Sequence, residues 1–411
     1  MEKGVLIPNL FKTEYRKIVS VLCKLFGLVH IEIAEDITND TFLLASETWG
    51  QKGIPENPKA WLYAVAKNKT KDYLKRNQNF INNITPEIKK ASLNFDELDI
   101  DLSEKNINDS QLQMIFTICN NVISSNAQIG LALRILCGFG IEEIAEAFLT
   151  NKETINKRLF RAKEKLRAEH IKIEFPNKKE IDKRLKNVLT TIYLLFNEGY
   201  YSSTNNQPLK KDLCVEAMRL SYLLLQHKKT DLPVTNALLS LICFHSSRFE
   251  SRLNNNGEYL LYFDQDKRNW NKELIIKGEH YLNKSAIGNE ITKYHLEARI
   301  AFWHTRENET IEKWENILQL YNRLLQIQYS PIIALNRTYA LSKASGKKIA
   351  IQEALKINLK QNHFYHSLMA ELYSGIDKDK QIEHLNQALN LTQNKTNKEI
   401  LNKKLKKVNR V

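Results

Sequence analysis

Apolar residues recur along most of the chain at three- and four-residue spacing, which is the period of an amphipathic helix. In the stretch IEEIAEAF, one apolar stripe consists of Ile141, Ile144, Ala145 and Phe148. In DLCVEAMRLSYLLLQ, the stripe consists of Leu213, Ala217, Leu220 and Leu224. No strand-like alternation competes with this pattern in the second half of the chain, so the spacing predicts an all-α protein.

Residues 141–169 are predicted to form two helices joined by a tight turn. The polar pair Thr150 and Asn151 interrupts the apolar pattern, and Asn151 is a suitable N-cap for the second helix. The inward face of the second helix is predicted to consist of Ile155, Leu159, Ala162 and Leu166. Small Ala145 at the crossing and apolar residues on both sides of the turn are typical of a helix-turn-helix, whose second helix enters the DNA major groove. The alternative is a solvated helical hairpin.

A second basic helix is predicted over residues 57–76, NPKAWLYAVAKNKTKDYLKR, with Pro58 in the first turn, where proline is favoured. Lys67, Lys71 and Lys75 follow at four-residue spacing and form a cationic stripe on which nucleic acid could lie. Aromatic residues flank the stripe, and aromatic rings stack on unpaired bases. The alternative for Trp61, favoured by spacing alone, is a place in the core.

The charge of the chain agrees with a polyanionic partner. There are 61 Lys and Arg against 47 Asp and Glu, which gives a formal net charge of +14. Much of the excess lies in residues 150–172, as expected for a nucleic-acid-binding helix. A second concentration, KTNKEILNKKLKKVNRV at the C-terminus, is interpreted as a solvated face.

The remaining composition excludes several classes of protein. A hydrophobic fraction of 43% over 411 residues is enough for two or three domains with ordinary cores. The five cysteines are far apart and lack metal-ligand spacing, so neither a disulfide framework nor a zinc site is predicted. No run of eighteen apolar residues and no leader-like N-terminus is present, so we expect a cytoplasmic protein without membrane contact.

Two stretches resemble parts of bacterial sigma-70-type factors of the extracytoplasmic-function class. IEIAEDITNDTFLLASETW, followed by the basic helix from Asn57 to Arg76, is similar to region 2. SNAQIGLALRILCGFGIEEIAEAFLTNKETINKRLFRAKEKLR is similar to region 4. Both occur in the expected order within about residues 10–170. The resemblance implies a dissociable subunit that binds core RNA polymerase and recognises promoter DNA.

The resemblance also implies three sets of functional residues. Docking on the polymerase clamp is assigned to Glu35, Asp36, Asn39, Asp40 and Phe42. Recognition and opening of the −10 element is assigned to Trp61, Lys67, Asn68, Lys71 and Lys75. Recognition of the −35 element is assigned to Lys152, Thr154, Asn156, Lys157, Phe160 and Arg161. Arg and Asn can each make two hydrogen bonds to a base edge, whereas Lys and Thr mostly bind phosphates.

The domain organisation follows from these assignments. Region 2 is placed at residues 10–76, an acidic linker at 77–110, and the region 4 helix-turn-helix at 111–172. An uncharacterised helical domain is placed at 177–290 and a tetratricopeptide-like helical region at 291–411. By composition the linker is a solvated tether. In a sigma factor it would thread the polymerase channels as a mimic of nucleic acid. The sequence does not distinguish the tether from the mimic.

The C-terminal half is expected to be an array of stacked helices. Ala354-Leu355 and Ala388-Leu389 lie 34 residues apart, which is the period of a tetratricopeptide repeat. The fragments YLLFNEGYYSS, DQDKRNWNKELIIKGEHYL and YSPIIALNRTYAL resemble the extension of one sigma-factor subgroup. Stacked hairpins present a concave face, so we expect a protein or small-molecule regulator to act there.

An enzymatic role is the least favoured. A polar set in the extension could line a pocket; it comprises Asn197, Glu198, His245, Arg248, Asp264, Asp266, Arg268 and Trp270. We instead interpret its aspartates as helix caps paired with Arg268 and its histidine as an interior residue, because no catalytic motif accompanies them. No cofactor and no metal site are predicted. The main hypothesis is therefore a sigma factor, and the alternative is a stand-alone helix-turn-helix transcription regulator with a helical sensor domain.

Overall fold

The computed structural model describes residues 3–76, 100–148, 150–177, 179–200, 210–252, 260, 265–392 and 395–410. Throughout these ranges the regular structure is helical and contains no strand, which confirms the all-α prediction. The chain divides into two compact units, Met1–Leu194 and Leu195–Val411.

The first helical group consists of α1 (Lys3–Phe26), α2 (Ile31–Lys52) and α3 (Pro58–Arg76). The C-terminal half of α1 buries one face through residues at helical spacing, namely Tyr15, Ile18, Val19, Leu22 and Phe26. Helix α1 ends at Gly27, whose φ of 83° is accessible to glycine at little cost. A 3₁₀ turn, Leu28–His30, then leads into α2, and α2 packs against both α1 and α3.

The second helical group begins with a helix inside the segment predicted as a linker. Helix α4 spans Glu104–Ile118, so the predicted linker boundary at residue 110 falls inside a helix. The Ser103 hydroxyl caps the helix by accepting a hydrogen bond from the backbone N–H of Asn106, and Ile107 is buried. The part of the predicted acidic linker from 77 to 99 lies outside the described residues.

Helix α5 (Ser125–Leu131) continues into a π-helical turn, Ala132–Leu136, and is followed by α6 (Ile141–Ala147) and α7 (Lys152–Ala168). The predicted cap at Asn151 is confirmed, because its side chain accepts a hydrogen bond from the backbone N–H of Thr154 at 2.8 Å. The predicted inward face is also confirmed, and its buried members are Ile155, Leu159, Ala162 and Leu166. Ala145 is buried where α6 and α7 pack together.

The two groups pack against each other within the first unit. Helix α1 contacts α4 and the π-helical turn, and α7 contacts the 3₁₀ turn Leu28–His30. Helix α8 (Ile181–Tyr200) starts within the same unit, where the Thr191 hydroxyl donates to the side-chain oxygen of Gln128 at 2.9 Å. The cores of the two groups are thus joined by direct helix contacts.

The second unit is an array in which successive helices pack on one another. Its helices are α9 (Lys211–Leu225), α10 (Pro233–Ser246), α11 (Lys272–Ser285), α12 (Lys293–Thr305), α13 (Ile311–Ile327), α14 (Pro331–Ser345), α15 (Lys347–Ala354), α16 (His363–Tyr373), α17 (Lys378–Leu391) and α18 (Lys395–Arg410). The apolar stripe predicted for α9 is buried at all four positions, Leu213, Ala217, Leu220 and Leu224. This succession confirms the predicted helical array.

Small residues allow close packing in this array. Gly278 of α11 lies against the ring of Phe244 of α10, and a Cβ at this glycine would be only 2.7 Å from the ring. Ala354 and Ala388, the residues on which the 34-residue spacing depends, are both fully buried. The last helix, α18, packs through Leu401 on Ala370 and Leu385.

Candidate functional site

The outer face of α2 exposes a short polar ridge. Asp36, Asn39, Asp40 and Leu43 are all exposed and follow one another at three- and four-residue spacing. A carboxylate oxygen of Asp40 lies 3.6 Å from the ammonium of Lys69 in the next helix. Burial raises the pKa of Asp36, and the nearby carboxylates of Glu35 and Asp40 raise it further. The ridge is therefore an acidic surface that would be stabilised by a cationic partner.

Two of the predicted polymerase contacts lie elsewhere. Phe42 is 5% exposed, and its ring packs edge-on against Phe11 with the centroids 5.0 Å apart. Glu35 is 8% exposed and faces the second helical group. Helical periodicity explains why both side chains are buried, because it directs them away from the face that carries Asp36 and Asp40. Neither side chain is available to a partner in this conformation.

Glu35 belongs to a network of charges that joins the two helical groups. One carboxylate oxygen accepts a hydrogen bond from Arg134 Nε at 2.9 Å, and the other from Lys163 Nζ at 2.8 Å. The Lys163 ammonium is also 3.5 Å from a carboxylate oxygen of Glu32, and Glu32 is hydrogen-bonded to Arg167. We call these five residues the carboxylate–cation network. Sequence reasoning missed its cations, because no local pattern links α2 to residues about 100 to 135 positions away.

The face of α3 carries the predicted −10 set. Asn68 and Lys75 are exposed, whereas Lys67 and Lys71 are half-buried. Trp61 is half-buried beside the buried ring of Trp49, with ring centroids 5.3 Å apart. Part of the indole thus remains accessible beside the basic stripe. Trp61 is therefore partly packed, as its core interpretation predicts, and partly accessible, as its DNA-contact interpretation predicts.

The other aromatic residues of α3 contact the first group itself. The Tyr63 hydroxyl donates to a carboxylate oxygen of Glu14 at 2.6 Å, and burial together with this hydrogen bond raises the pKa of the phenol. Tyr73 contacts Phe26 edge-on at 5.9 Å. Among the three aromatic residues next to the lysine stripe, Trp61 is therefore the best placed to meet a base.

The outer face of α7 carries the predicted −35 set. Asn156, Lys157 and Arg161 are exposed, and the Phe160 ring stands out from the helix with 61% of the residue exposed. Lys152 is also exposed and forms an ion pair with Glu142 of α6. Thr154 is half-buried. The polar and basic side chains thus share one face with an exposed aromatic ring.

A groove of about 410 Å³ lies between α7 and the start of α5. Its lining includes the predicted Thr154, Lys157 and Arg161, together with Arg158 and Lys165. Sequence reasoning did not include these last two among the contacts. Arg158 lies three residues before Arg161 and Lys165 lies four residues after it, so helical spacing could have predicted that they share its face. The groove is suited to a phosphate backbone, because its cations converge on one side.

The polar set of the second unit is explained by local structure. Asp266 accepts a hydrogen bond from the backbone N–H of Arg268 and pairs with its guanidinium at 2.8 Å, as predicted for a cap. His245 packs between aromatic rings, with its ring centroid 4.8 Å from that of Tyr200. Asp264 lies outside the described residues. Among the residues that are described, no cluster of three or more His, Cys, Asp or Glu could hold a metal ion.

Comparisons with known proteins identify the N-terminal group. Residues 10–80 match the model of sigma-70 region 2. The chain is also 33% identical to an uncharacterized protein of Rhizobium meliloti (strain 1021) over 350 residues, which cover 84% of this chain and 82% of the relative. The chain belongs to the sigma-70 family. Helices α1–α3 of this sigma factor are thus its region 2.

Residues 184–286 of this sigma factor match a second family, DUF6596, which is described as a family of unknown function. No solved structure matches the chain. Sigma factors are not enzymes, so membership of the family confirms the non-enzymatic interpretation. In the part of this sigma factor that the structure describes, no helix combines the length and the apolar character needed to cross a membrane.

Proposed function

We propose that this protein is an alternative sigma factor of the extracytoplasmic-function class, which binds core RNA polymerase, recognises the −10 and −35 elements and initiates transcription. The observation that carries the proposal is the match to sigma-70 region 2 on a helical group whose α2 exposes an acidic ridge. We place its site of action in the cytoplasm, where polymerase and promoter DNA are.

The docking surface is the ridge of α2. It consists of Asp36, Asn39 and Asp40, continued by exposed Leu43. An acidic ridge ending in an apolar side chain suits a basic helical partner such as the polymerase clamp. Phe42 supports this helix from the core, and Glu35 contributes through its charge network.

The −10 surface is the exposed side of α3. Its lysines would hold the phosphate backbone while the accessible edge of Trp61 stacks on an unpaired base. Such stacking contributes roughly 1–3 kcal/mol per base without regard to sequence. This combination suits strand opening, because it stabilises the single-stranded state more than the duplex.

The −35 surface is a helix-turn-helix formed by α6 and α7. Asn156 and Arg161 would read base edges, Phe160 would contact a thymine methyl group, and the groove beside them would hold phosphates. The exposure of these side chains and the capped start of α7 support this assignment.

The second unit is proposed to regulate the sigma module. The helix pairs α14–α15 and α16–α17 begin at Pro331 and His363, a spacing close to a tetratricopeptide repeat. Tetratricopeptide-like stacking would present a surface for a protein or small-molecule regulator.

The test is binding of the full chain to purified core RNA polymerase, measured by size exclusion and by titration. Asp40→Lys reverses a charge on the proposed docking ridge and should abolish binding. The matched control is Glu56→Lys, which makes the same charge change at an exposed position between α2 and α3. Equal affinity of both variants would show that the ridge is misassigned. A parent chain that binds DNA without polymerase would instead favour a stand-alone regulator.

A further inference from the structure

Helix α18 of the second unit concentrates positive charge. It contains seven Lys or Arg and one Glu within 16 residues, which gives a net charge of +6. Half-buried Lys404 lies 3.6 Å from a carboxylate oxygen of Glu371 in α16. Among the described side chains of α18, none that is exposed and polar is acidic. The exposed polar residues, which we call the lysine face, are Lys398, Asn402, Lys403, Lys406, Lys407 and Asn409.

The apolar side of α18 is anchored in the helical array. Leu401 is 5% exposed and packs on Ala370 of α16 and Leu385 of α17, and the partly buried Leu405 and Val408 pack on the same cluster. A basic amphipathic helix that binds a membrane inserts its apolar side among the lipids. In α18 that side is already covered, so the helix offers its lysine face to a partner.

The sign of its charges distinguishes the lysine face from an ordinary solvated surface. Solvated helices usually carry charges of both signs. The neighbouring α17 does so, and its exposed charged residues are Lys378, Asp379, Lys380 and Glu383. On α18, Lys403 and Lys407 are one helical turn apart, and like charges at this spacing destabilise a helix. A bound polyanion would neutralise this repulsion.

The dimensions of the lysine face suit a phosphate backbone. Lys398 and Lys407 are separated by roughly 14 Å along the helix axis. Duplex DNA carries one negative charge per roughly 1.7 Å of its axis, so several phosphates lie within this reach. Lysine ammonium groups bind phosphates as point charges and do not read the base. The amides of Asn402 and Asn409 can donate hydrogen bonds to phosphate oxygens beside them.

We propose that the lysine face of α18 binds the phosphate backbone of duplex DNA independently of its sequence. The inference goes beyond the −10 and −35 surfaces, and it rests on the proposed function only in taking DNA as the polyanion. Because both units belong to one chain, a contact by α18 raises the effective concentration of DNA around the promoter-reading helices. The second unit thus adds affinity for DNA without adding sequence specificity.

The test measures the affinity of the full chain for duplex DNA by fluorescence anisotropy, at salt concentrations from about 50 to about 200 mM. The variant combines Lys398→Gln, Lys406→Gln and Lys407→Gln. Its plot of log K against log salt concentration should be shallower by about 2.7, because each phosphate contact contributes about 0.9. At about 50 mM salt its affinity should fall by at least about tenfold. The loss should be equal for duplexes with and without a −35 element.

The matched control removes the same charge from three exposed lysines elsewhere in the second unit, through Lys228→Gln, Lys272→Gln and Lys348→Gln. It should keep a slope close to that of the parent, because the two variants have the same net charge and differ only in the lysine face. Equal losses in both triple variants would overturn the proposal in favour of a general effect of net charge. A loss confined to the −35 duplex would overturn it as well, since phosphate contacts carry no sequence information.

Chemical footprinting of the parent chain gives a second readout that needs no variant. Lysines are acetylated with and without bound duplex, and the modified positions are mapped by mass spectrometry. DNA should protect Lys398, Lys406 and Lys407 and leave Lys228 as reactive as before. Unchanged reactivity of the three α18 lysines in the DNA complex would overturn the proposal.

Two further measurements separate the alternatives. Vesicles of phosphatidylserine and phosphatidylcholine present an anionic surface without DNA. If the α18 variant lost vesicle binding but kept parent-like DNA binding, the proposal would be overturned and the lysine face assigned to a membrane surface. Binding to core polymerase, measured in the same preparations, decides the proposed function. Its failure would overturn that function, while the salt slopes would still decide whether α18 binds DNA.

Discussion

At the scale of single residues, the structure separates neighbours that the sequence places side by side. Leu159 and Phe160 are consecutive apolar residues of α7, yet Leu159 is 4% exposed and Phe160 is 61% exposed. Helical periodicity separates consecutive residues by about 100°, so the two side chains lie on different faces. The exposed Phe160 ring lies beside Lys157 and Arg161, and we propose that it contacts −35 DNA.

This difference predicts opposite effects for two alanine variants. Phe160→Ala should leave the free energy of unfolding unchanged within about 0.5 kcal/mol, because little contact is lost. If the ring meets a thymine methyl group, the variant should weaken binding to −35 DNA by up to roughly 1–3 kcal/mol, which is the usual cost of one mismatched base pair. Thermal or denaturant unfolding and fluorescence anisotropy with a −35 duplex measure the two quantities.

The matched control for Phe160 is its neighbour. Leu159→Ala should destabilise the first unit by about 2–5 kcal/mol, because it leaves a cavity between α7 and α5, where Leu159 lies against Gly130. DNA affinity of the folded fraction should change little. Unaltered DNA binding by Phe160→Ala would remove this residue from the −35 surface.

At the scale of helices, starts and buried stripes followed from local chemistry. Asn151 caps α7 and Pro58 begins α3, because both signals act through the backbone of their own first turn. The segment predicted as a linker contains the first turns of α4, because the polar composition around Ser103 is typical of a linker although Ser103 caps a helix. The stripes of α7 and α9 were predicted because a helix with one apolar face has only one way to bury it.

At Gly278, close helix packing predicts that a change to alanine is destabilising, whereas helix propensity alone predicts that it is stabilising. Gly278→Ala should destabilise the second unit by about 1–3 kcal/mol, because the added Cβ would lie 2.7 Å from the Phe244 ring. Hydrogen–deuterium exchange of peptides from α10 and α11 measures this change directly.

Gly50→Ala is the control for helix propensity. Gly50 lies within α2 and has no atom within 4 Å of the position of an added Cβ. The variant should stabilise the first unit by roughly 0.5–1 kcal/mol, since alanine favours helix more than glycine does. A stabilising effect at Gly278 as well would show that α10 and α11 pack less closely than described.

At the scale of the whole molecule, two interior histidines make the stability of the second unit depend on pH. Burial lowers the pKa of His304 to about 3, and the neighbouring charges of Arg248 and Lys313 lower it further. Burial and the same arginine also hold the pKa of His245 well below its usual range. Both imidazoles therefore stay neutral in the folded protein at pH values where they are protonated in the unfolded chain.

The sign of the effect follows from proton binding. Below about pH 6.5 the unfolded chain takes up protons that the folded unit does not, so acidification favours unfolding. Each histidine should lower the free energy of unfolding by up to about 1.4 kcal/mol per pH unit in this range. Hydrogen exchange of α10 and α12 peptides at pH 7, 6 and 5 measures the slope.

Matched variants assign the slope to its source. His304→Gln should flatten the dependence, whereas His280→Gln, at an exposed position of α11, should leave it as in the parent. Equal slopes in all three chains would show that His304 does not contribute to the acid sensitivity.

The sequence by itself determined the helical class, the apolar stripes, the caps and the basic faces of α3 and α7. Each of these depends on residues within a few turns of one another, so the period and the local backbone chemistry specify them. It also carried the similarity to sigma-70 region 2. The tertiary structure decided which polar residues reach solvent, turning Phe42 into the core and Glu35 toward Lys163 and Arg134. Charges separated by about 100 residues meet only when helices pack, and pairing at that range leaves no periodic trace in the chain.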